Sequence, residues 1–307
     1  MALDADVLMD RIQLKQKLKK WQVISFCLLA LAFFALIAPY AGKNGPVVGK
    51  PYIARVSLEG MLLDDTYRDS VLSDLVDDKE AKAVIVSIDS PGGTTAAGES
   101  LYSQLRDISN SGKPVVAVMK TLAASGGYMT ALGADYIVAR RGTITGSIGV
   151  LMESPEFTEL ADKVGVTFNV IKSAELKASP SPFEKMTPKS QAAMQAVIDD
   201  FYKYFVDLTA ERRNLDRDKA LELADGRVYT GNQAVENGLI DAIGGEKEAI
   251  EWLEKEKKIE AGLDIEDIST IEPDKGLLSD LFGDMKKSQI YQKLNLQGML
   301  AVWYPNN

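Results

Sequence analysis

The sequence has no histidine and only one cysteine, Cys27, among its 307 residues. Without histidine, neither a Ser–His–Asp triad nor the usual histidine-containing zinc site can be built. Cys27 lies inside an apolar run, and a lone cysteine excludes both a disulfide framework and a four-cysteine metal site. We therefore expect no metal and no cofactor. A hydrolase of this composition must take its base from lysine, aspartate, glutamate or an amino terminus.

Positive charge is also scarce, because 35 lysines and arginines stand against 44 aspartates and glutamates, for a formal net charge of −9. Nucleic-acid binding depends on basic patches that neutralise phosphates, so we predict no nucleic-acid partner. Hydrophobic residues make up 46% of the chain, which is typical of a globular protein.

One long run without charged residues covers residues 21–40. It has the length of about 20 residues that a helix needs to cross a bilayer core of ~30 Å. The basic residues before it are Arg11, Lys15, Lys17, Lys19 and Lys20, whereas only Lys43 and Lys50 follow it before the fold begins. The positive-inside rule then predicts residues 1–20 in the cytoplasm, a single-pass anchor in contact with lipid at 21–40, and all later residues outside the cytoplasm.

A cleaved signal peptide is the main alternative to an anchor, and it requires small residues at positions −3 and −1. Cleavage after Ala38 would place Leu36 at −3, and cleavage after Ala41 would place Pro39 there. A buried core helix is a further alternative, but the charge-flanked N-terminal position disfavours it. We therefore favour the uncleaved anchor.

Strand-like and helix-like segments alternate beyond residue 50, which predicts an α/β domain with a parallel sheet over residues 51–260. The predicted strands are 52–58, 83–89, 114–119, 136–139, 145–150 and 167–171, and the predicted helices are 68–76, 96–108, 125–132, 189–212 and 246–258. Thr230 is a predicted N-cap. Residues 41–50, which are Gly-rich and polar, form a predicted stalk. Residues 261–307 form an acidic tail, whose apolar stretch 299–304 could pack on the core, cover a groove or touch lipid.

Ser125 stands in Ala-Ser-Gly-Gly-Tyr at 124–128, where a strand-like segment meets a helix. Small neighbours allow the sharp turn of a nucleophile elbow, and a helix N-terminus favours a developing oxyanion. An N-capping serine in a small-residue turn is the structural alternative. In Ser-Pro-Gly-Gly at 90–93, Gly92 or Gly93 could supply one oxyanion donor and Gly126 the other, unless this segment is an ordinary strand-to-helix turn.

A serine without histidine needs a neutral amine or a carboxylate within hydrogen-bond reach. A lysine in this role must lose about 3 pKa units, roughly 4 kcal/mol, through burial. Lys177 stands among small and apolar residues in Ser-Ala-Glu-Leu-Lys-Ala-Ser-Pro at 173–180, and Lys172 is its rival. A solvated surface charge is the alternative for either lysine.

Five motifs occur together and in order between about residues 50 and 260. They are the segments at 90–93 and 124–128, Thr-Gly-Ser-Ile-Gly-Val at 145–150, the Lys177 loop, and Gly-Arg-Val-Tyr-Thr-Gly at 226–231. This set resembles the bacterial signal peptide peptidase A family, short form. The resemblance implies a ClpP/crotonase-like fold of repeated ββα units, with Ser125 as nucleophile, Lys177 as general base and Ser147 as the hydroxyl that orients the lysine amine. It also implies a ring-like homo-oligomer, with the octamer among the expected sizes, in which one subunit's lysine serves its neighbour's serine.

The chain departs from the family pattern at three positions. The family loop usually reads Ser-Gly-x-Tyr-Lys, whereas this chain has Ala174 and Leu176 in place of Gly and Tyr. Leu176 keeps an apolar wall beside the amine, but the aromatic contact is lost. Met129 replaces a commoner second aromatic residue after Tyr128, which alters a pocket rather than the chemistry.

These features predict a Ser/Lys endopeptidase anchored in the bacterial inner membrane, with its catalytic domain in the periplasm or an equivalent space. By resemblance, its substrates are cleaved signal peptides and other apolar membrane-associated peptides. The alternatives are a sister peptidase with other protein substrates, a crotonase-type acyl-CoA enzyme and a catalytically silent scaffold. The acyl-CoA enzyme would lack CoA outside the cytoplasm, and the presence of both dyad residues and both glycine loops disfavours the scaffold.

Overall fold

The computed structural model describes residues 15, 17–22, 24–26, 28–29, 49–272 and 300–302. The chain divides into two compact units, Met1–Lys50 and Pro51–Asn307. In the first unit the described residues from 15 to 29 are helical, and no helix among the described residues is both long and apolar enough to cross a membrane. Cys27 and most of the predicted anchor, stalk and tail lie outside the described residues, so those interpretations stay predictions.

Three long strands form the centre of the sheet in the second unit. They are β1 (Tyr52–Leu62), β2 (Ala81–Thr94) and β3 (Val115–Ala124). β2 lies between the other two and is parallel to both. Alternate residues of β2 pack into two cores, with Val84 and Val86 in the larger and Ala83 and Ile85 in the smaller. The apolar run at 83–89 is thus confirmed as a strand buried on both faces.

Shorter strands extend this sheet on both sides. They are β4 (Tyr136–Ala139), β5 (Ile144–Gly146), β6 (Val228–Thr230), β7 (Ala242–Ile243), β8 (Asp264–Ile268) and β9 (Leu300–Val302). The main strand order is β6-β5-β3-β2-β1-β8, while β4 pairs with β3 and β7, and β9 pairs antiparallel with β2. β3 changes partner along its length, because residues 116–119 pair with β4 and residues 122–124 pair with β5.

The helices of the second unit cover both faces of the sheet. They are α1 (Thr66–Asp77), α2 (Thr95–Asn110), α3 (Gly126–Ala131), α4 (Thr158–Lys163), α5 (Pro188–Arg213), α6 (Arg217–Leu223), α7 (Gly231–Glu236) and α8 (Glu246–Lys255). α8 covers the smaller core through Ala249 and Leu253. A capping box between Thr230 and Gln233 starts α7, which confirms the predicted N-cap at Thr230.

Several predicted elements need correction. The strand predicted at 145–150 is confined to Ile144–Gly146, because the left-handed backbone of Gly146 and Ser147 ends it. No strand forms at 167–171, where the residues are exposed and pair with no described strand. The helix predicted at 246–258 ends at Lys255. Two elements were not predicted: α6, and β8, whose acidic Asp-Ile-Glu-Asp-Ile pairs as an edge strand with β1.

Candidate active site

Ser125 lies between β3, which ends at Ala124, and α3, which begins at Gly126. Its φ of 53° and ψ of −119° fall in a region that residues other than glycine rarely occupy. Two backbone hydrogen bonds hold it there: Ser125 N–H donates to Gly146 O at 2.8 Å, and Met129 N–H donates to Ser125 O at 2.9 Å. A strained serine fixed at a strand-to-helix turn has the geometry of a nucleophile elbow.

The side chain of Ser125 does not cap the helix that follows it. Although Ser125 occupies the N-cap position of α3, it makes no side-chain capping hydrogen bond. The residue is only 1% exposed, and its hydroxyl forms no hydrogen bond with another described residue. The structure therefore disfavours the N-capping alternative and leaves the Ser125 hydroxyl available for chemistry.

Glycines allow the elbow to pack closely against its neighbours. A Cβ added at Gly127 would lie 3.0 Å from Ser90 O, and one added at Gly98 would lie 3.2 Å from Met129 Sδ. Every residue of α3 is buried. A side chain at Gly127 would thus crowd the backbone of Ser90, so close packing favours glycine there.

Ser147 follows β5 as Ser125 follows β3, and the register pairs Ala124 with Gly146. The two serines therefore lie next to each other where these strands end, with φ values of 53° and 50°. Ser147 N–H donates to Arg227 O at 2.8 Å, while its hydroxyl bonds to no described residue. The fold thus brings together two of the predicted site residues, Ser125 and Ser147.

The motif at 226–231 positions Ser147, a role that the sequence pattern did not predict. Gly146 has a φ of +81°, and a Cβ there would come within 2.6 Å of Tyr229 Cδ2. Tyr229 lies opposite Thr145 in the antiparallel pair of β5 and β6, and its hydroxyl donates to Leu223 O at 3.0 Å. The Tyr229 ring therefore fixes the end of β5 from which Ser147 emerges.

One of the three predicted oxyanion donors already has a partner. Gly92 N–H donates to Ser90 Oγ at 3.0 Å, which corrects its assignment as a free donor and reveals a role for Ser90 that was not predicted. A Cβ at Gly93 would overlap Leu62 O, so this position also requires glycine for packing. Gly126 begins α3, so its N–H has no acceptor within the helix. Gly93 and Gly126 remain the predicted donors.

Neither candidate lysine reaches Ser125 within the described part of one chain. Lys172 is engaged in an ion pair with Glu184. Lys177 lies in a turn, where its N–H donates to Ala174 O at 3.1 Å, and its side chain is exposed and bonds to no described residue. The structure therefore does not join Ser125 and Lys177 in a single subunit.

Lys177 belongs to a stretch with much exposed apolar surface, residues 151–186, which we call the exposed segment. Its exposed apolar residues are Leu151, Phe157, Leu160, Val164, Val166, Phe168, Val170, Ile171, Leu176, Phe183 and Met186. Ile171 is 100% exposed, and the stacked pair Phe168–Phe183, with centroids 4.2 Å apart, remains 44% exposed at both rings. Apolar surface of this extent indicates an interaction site.

Tyr128, within α3, is a structural residue rather than an alternative base. It is fully buried, and its hydroxyl donates to Leu239 O at 2.9 Å. Burial raises the pKa of this phenol above its ordinary value, so it stays neutral. Within the described ranges, no group of three or more His, Cys, Asp or Glu side chains is placed to hold a metal ion.

Comparison with known proteins points to one family. The profile of peptidase family S49 matches residues 107–260, a range that contains Ser125, Ser147 and Lys177. A candidate protease of Synechocystis sp. is 42% identical over 235 residues, which cover 75% of this chain and 83% of the relative. A candidate signal peptide peptidase SppA of Enterococcus faecium is 39% identical over 188 residues, covering 61% of this chain and 55% of the relative.

Among solved structures, a membrane-bound stomatin-specific protease superposes with a TM-score of 0.45 at 16% identity, covering 72% of this chain and 99% of that chain. This score is too low to decide between α/β architectures. The mixed α/β sheet is visible in the chain itself. The ClpP/crotonase-like arrangement of ββα units stays a prediction.

Proposed function

Because this chain belongs to peptidase family S49 and is a serine-type peptidase of that family, we propose that it cleaves peptide bonds with Ser125 as nucleophile and Lys177 of a neighbouring subunit as general base. One observation carries this proposal. Ser125 is buried, strained and free of a capping role, whereas Lys177 stands on an exposed apolar surface away from it. A second copy of the chain, docked on that surface, would complete the site.

In the proposed reaction Ser125 Oγ attacks the scissile carbonyl while Lys177 Nζ accepts the hydroxyl proton and passes it to the leaving amine. Water then attacks the acyl-enzyme with the lysine again as base, and the second product leaves. The amides of Gly93 and Gly126 would stabilise the oxyanion, and Ser147 would orient the amine. A lysine must be buried to be neutral near pH 7, and subunit docking over the exposed segment would supply that burial.

The proposed assembly is a ring-like homo-oligomer. Heterologous contacts between identical subunits form a ring when the rotation between subunits closes, and they allow each lysine to serve the next subunit's serine. The exposed segment supplies apolar surface for such a contact on the same stretch of chain as Lys177. In this arrangement an isolated subunit would be inactive.

The proposed substrates are cleaved signal peptides and other apolar peptides at the membrane. Residues 21–40 would anchor the chain in the bacterial inner membrane with a cytoplasmic N-terminus, and the stalk at 41–50 would hold the extracytoplasmic site near the bilayer surface. The Enterococcus faecium relative carries the name of a signal peptide peptidase, which supports this substrate class. A panel that compares a signal peptide with polar unfolded proteins would separate this proposal from a sister peptidase with other substrates.

A subunit-mixing experiment tests the dyad and its assembly together. Full-length Ser125→Ala and Lys177→Ala are purified in detergent, assayed on a synthetic signal peptide, and then mixed under conditions of subunit exchange. Each variant alone should be inactive, and random mixing should restore about a quarter of the sites, those with an intact serine from one subunit and an intact lysine from the next. Lys172→Ala, mixed with wild type in the same way, should leave activity unchanged.

The mixing result has clear contrary outcomes. If exchange is demonstrated by labelled subunits and no activity returns, the dyad does not form between subunits. If either alanine variant cleaves the peptide at the wild-type rate, that residue is not part of the dyad.

A further inference from the structure

A cavity of about 510 Å³ lies beside the carboxyl ends of β1 and β8, which are parallel neighbours in the sheet. Its volume falls in the range of ~300–1,000 Å³ that is typical of small-ligand pockets. Apolar side chains line the cavity from β1, from the turn that follows it and from the end of β8 onwards; they are Leu58, Met61, Leu62, Leu63, Ile268 and Ile271. Arg68, in the first turn of α1, lines the same cavity.

Arg68 is a buried charge without an adequate partner in the described part of the chain. The residue is only 7% exposed. Its side chain makes one hydrogen bond to a described residue, from Nη2 to Asp69 Oδ1 at a long 3.3 Å, and its Nε is buried with no acceptor among the described residues. Burial of a charge is costly unless the charge is paired and hydrogen-bonded. An anion bound in the cavity would supply the missing partner.

The other charged side chains that line the cavity do not supply this anion. Asp267 is engaged by Arg55, with hydrogen bonds of 2.5 and 2.7 Å. Asp65 caps α1, where it accepts two backbone N–H groups at 3.0 Å. Glu59 and Asp64 are exposed, so their charges act through water of high dielectric constant and repel an anion at the buried guanidinium only weakly.

A guanidinium binds a carboxylate through paired hydrogen bonds, and the apolar lining suits an apolar body on the same ligand. We propose that the cavity is a binding site for the free C-terminal carboxylate of an apolar peptide, with Arg68 as the partner of that carboxylate. The choice of a peptide rests on the proposed function, because each cleavage would create a new C-terminal carboxylate on an apolar chain. Leu62 pairs with Gly93, so the cavity lies one strand away from the turn that contains a proposed oxyanion donor.

Calorimetric titration of the full-length Ser125→Ala variant in detergent tests the site without cleavage of the ligand. The probe is the tripeptide acetyl-Ala-Leu-Val with a free carboxylate, and its matched control is the same tripeptide with a C-terminal amide. The acid should bind about 10- to 100-fold more tightly than the amide, because a hydrogen bond between charged groups contributes an affinity factor of this size.

Two arginine variants in the same Ser125→Ala background locate the effect. Arg68→Met should reduce the preference for the acid to less than about twofold. Arg217→Met removes an exposed guanidinium that pairs with Asp207 outside the cavity, and it should keep the full preference. Because Arg68 lacks a good partner within the described chain, Arg68→Met should unfold at the same urea concentration as its parent or at a higher one.

The outcomes separate this inference from the proposed function. Equal affinities for acid and amide, or a preference that survives Arg68→Met, would overturn the site, and so would a clearly lower urea midpoint in Arg68→Met. Decanoate or inorganic phosphate that binds as tightly as the tripeptide acid would assign the cavity to another class of anion and overturn the peptide as ligand. If the wild type cleaves no peptide while the preference for the acid persists, the proposed function fails and the carboxylate site stands.

Discussion

The two halves of the proposed dyad are held in very different ways. Ser125 lies in an elbow whose helix is entirely buried and whose backbone is fixed by hydrogen bonds to Gly146 and Met129. Lys177 lies in the exposed segment, where turns replace strands and Ile171 is fully exposed. The difference matches the proposed assembly, in which one subunit builds the nucleophile by itself and a partner would position the base.

Strain and packing explain why only one half is built in advance. Left-handed backbone at Ser125 and Ser147 costs on the order of 1–3 kcal/mol at each residue, so it persists only where the surroundings enforce it. The pairing of β3 with β5, and of β5 with β6, provides that enforcement. In the exposed segment Ala178, beside Lys177, also has a positive φ of 57°, but no described strand lies between residues 152 and 186 to hold it. Such a design would keep an unassembled peptidase inactive.

The largest expected effect comes from a change to the base alone. Lys177→Arg keeps the positive charge, but a guanidinium does not deprotonate in proteins, so peptide cleavage should fall by about 10³-fold or more. Lys172→Arg, which retains the ion pair with Glu184, is the matched control and should remain active. Steady-state kinetics with a synthetic signal peptide would measure both. Loss of activity in the control alone would assign the base to Lys172, and Lys177 would then not be the counterpart of Ser125.

The next effect concerns the enforced geometry of the elbow. Gly146→Ala places a Cβ 2.6 Å from the Tyr229 ring at a φ of +81°, so it should destabilise the fold by about 2–4 kcal/mol. Gly142→Ala, at a position with no atom within 4 Å of the new Cβ and with no positive φ, should cost less than about 0.5 kcal/mol. Urea unfolding would compare the two. Equal midpoints would show that the elbow is not enforced by this contact.

Sequence patterns predicted the elements whose own residues determine them. The apolar run of β2 and the Thr230–Gln233 capping box are local features, and both are confirmed. The strand predicted at 167–171 is wrong. β-Branched residues form a strand only where a partner strand is available to pack against, and no described strand lies beside these residues, which are exposed instead. β8 was missed because its acidic sequence hides an edge strand that depends on β1 as partner.

The candidate site was predictable as a set of residues but not as an arrangement. The motifs identified Ser125 and Ser147, yet their adjacency depends on the register of Ala124 with Gly146. Gly92 was predicted as a possible oxyanion donor. The sequence pattern did not show that the Ser90 hydroxyl accepts the Gly92 N–H. Hydrogen-bond partners and strand register are tertiary properties, so patterns read along a single sequence do not predict them.

A smaller effect should appear when the exposed segment is made polar. Ile171→Ser removes apolar surface that is fully exposed in one subunit, so the free energy of unfolding of that subunit should change by less than about 0.5 kcal/mol. Association should weaken by about 2 kcal/mol for each interface, and cleavage should fall with it. Analytical ultracentrifugation would measure assembly. Ile271→Ser is the control, because Ile271 is 79% exposed but lies outside the exposed segment. An equal loss of assembly in this control would refute a specific interface at the exposed segment.

The smallest expected effect concerns half-buried Asp135, just before β4, and depends on pH. Asp135 accepts hydrogen bonds from Arg106, Ser109 and the Val115 N–H. Burial alone would raise the pKa of Asp135. The three donors together outweigh burial and hold this pKa below its ordinary value. Its contribution to stability is therefore complete above the unfolded pKa of about 3.9 and is lost as the pH falls through the lower folded value. Asp135→Asn should lower the free energy of unfolding by about 1 kcal/mol at pH 7 and by less as the pH approaches 3. Asp107→Asn, at an exposed position, is the control. Urea unfolding at several pH values would measure this, and a cost that is constant from pH 7 to 3 would contradict the assignment.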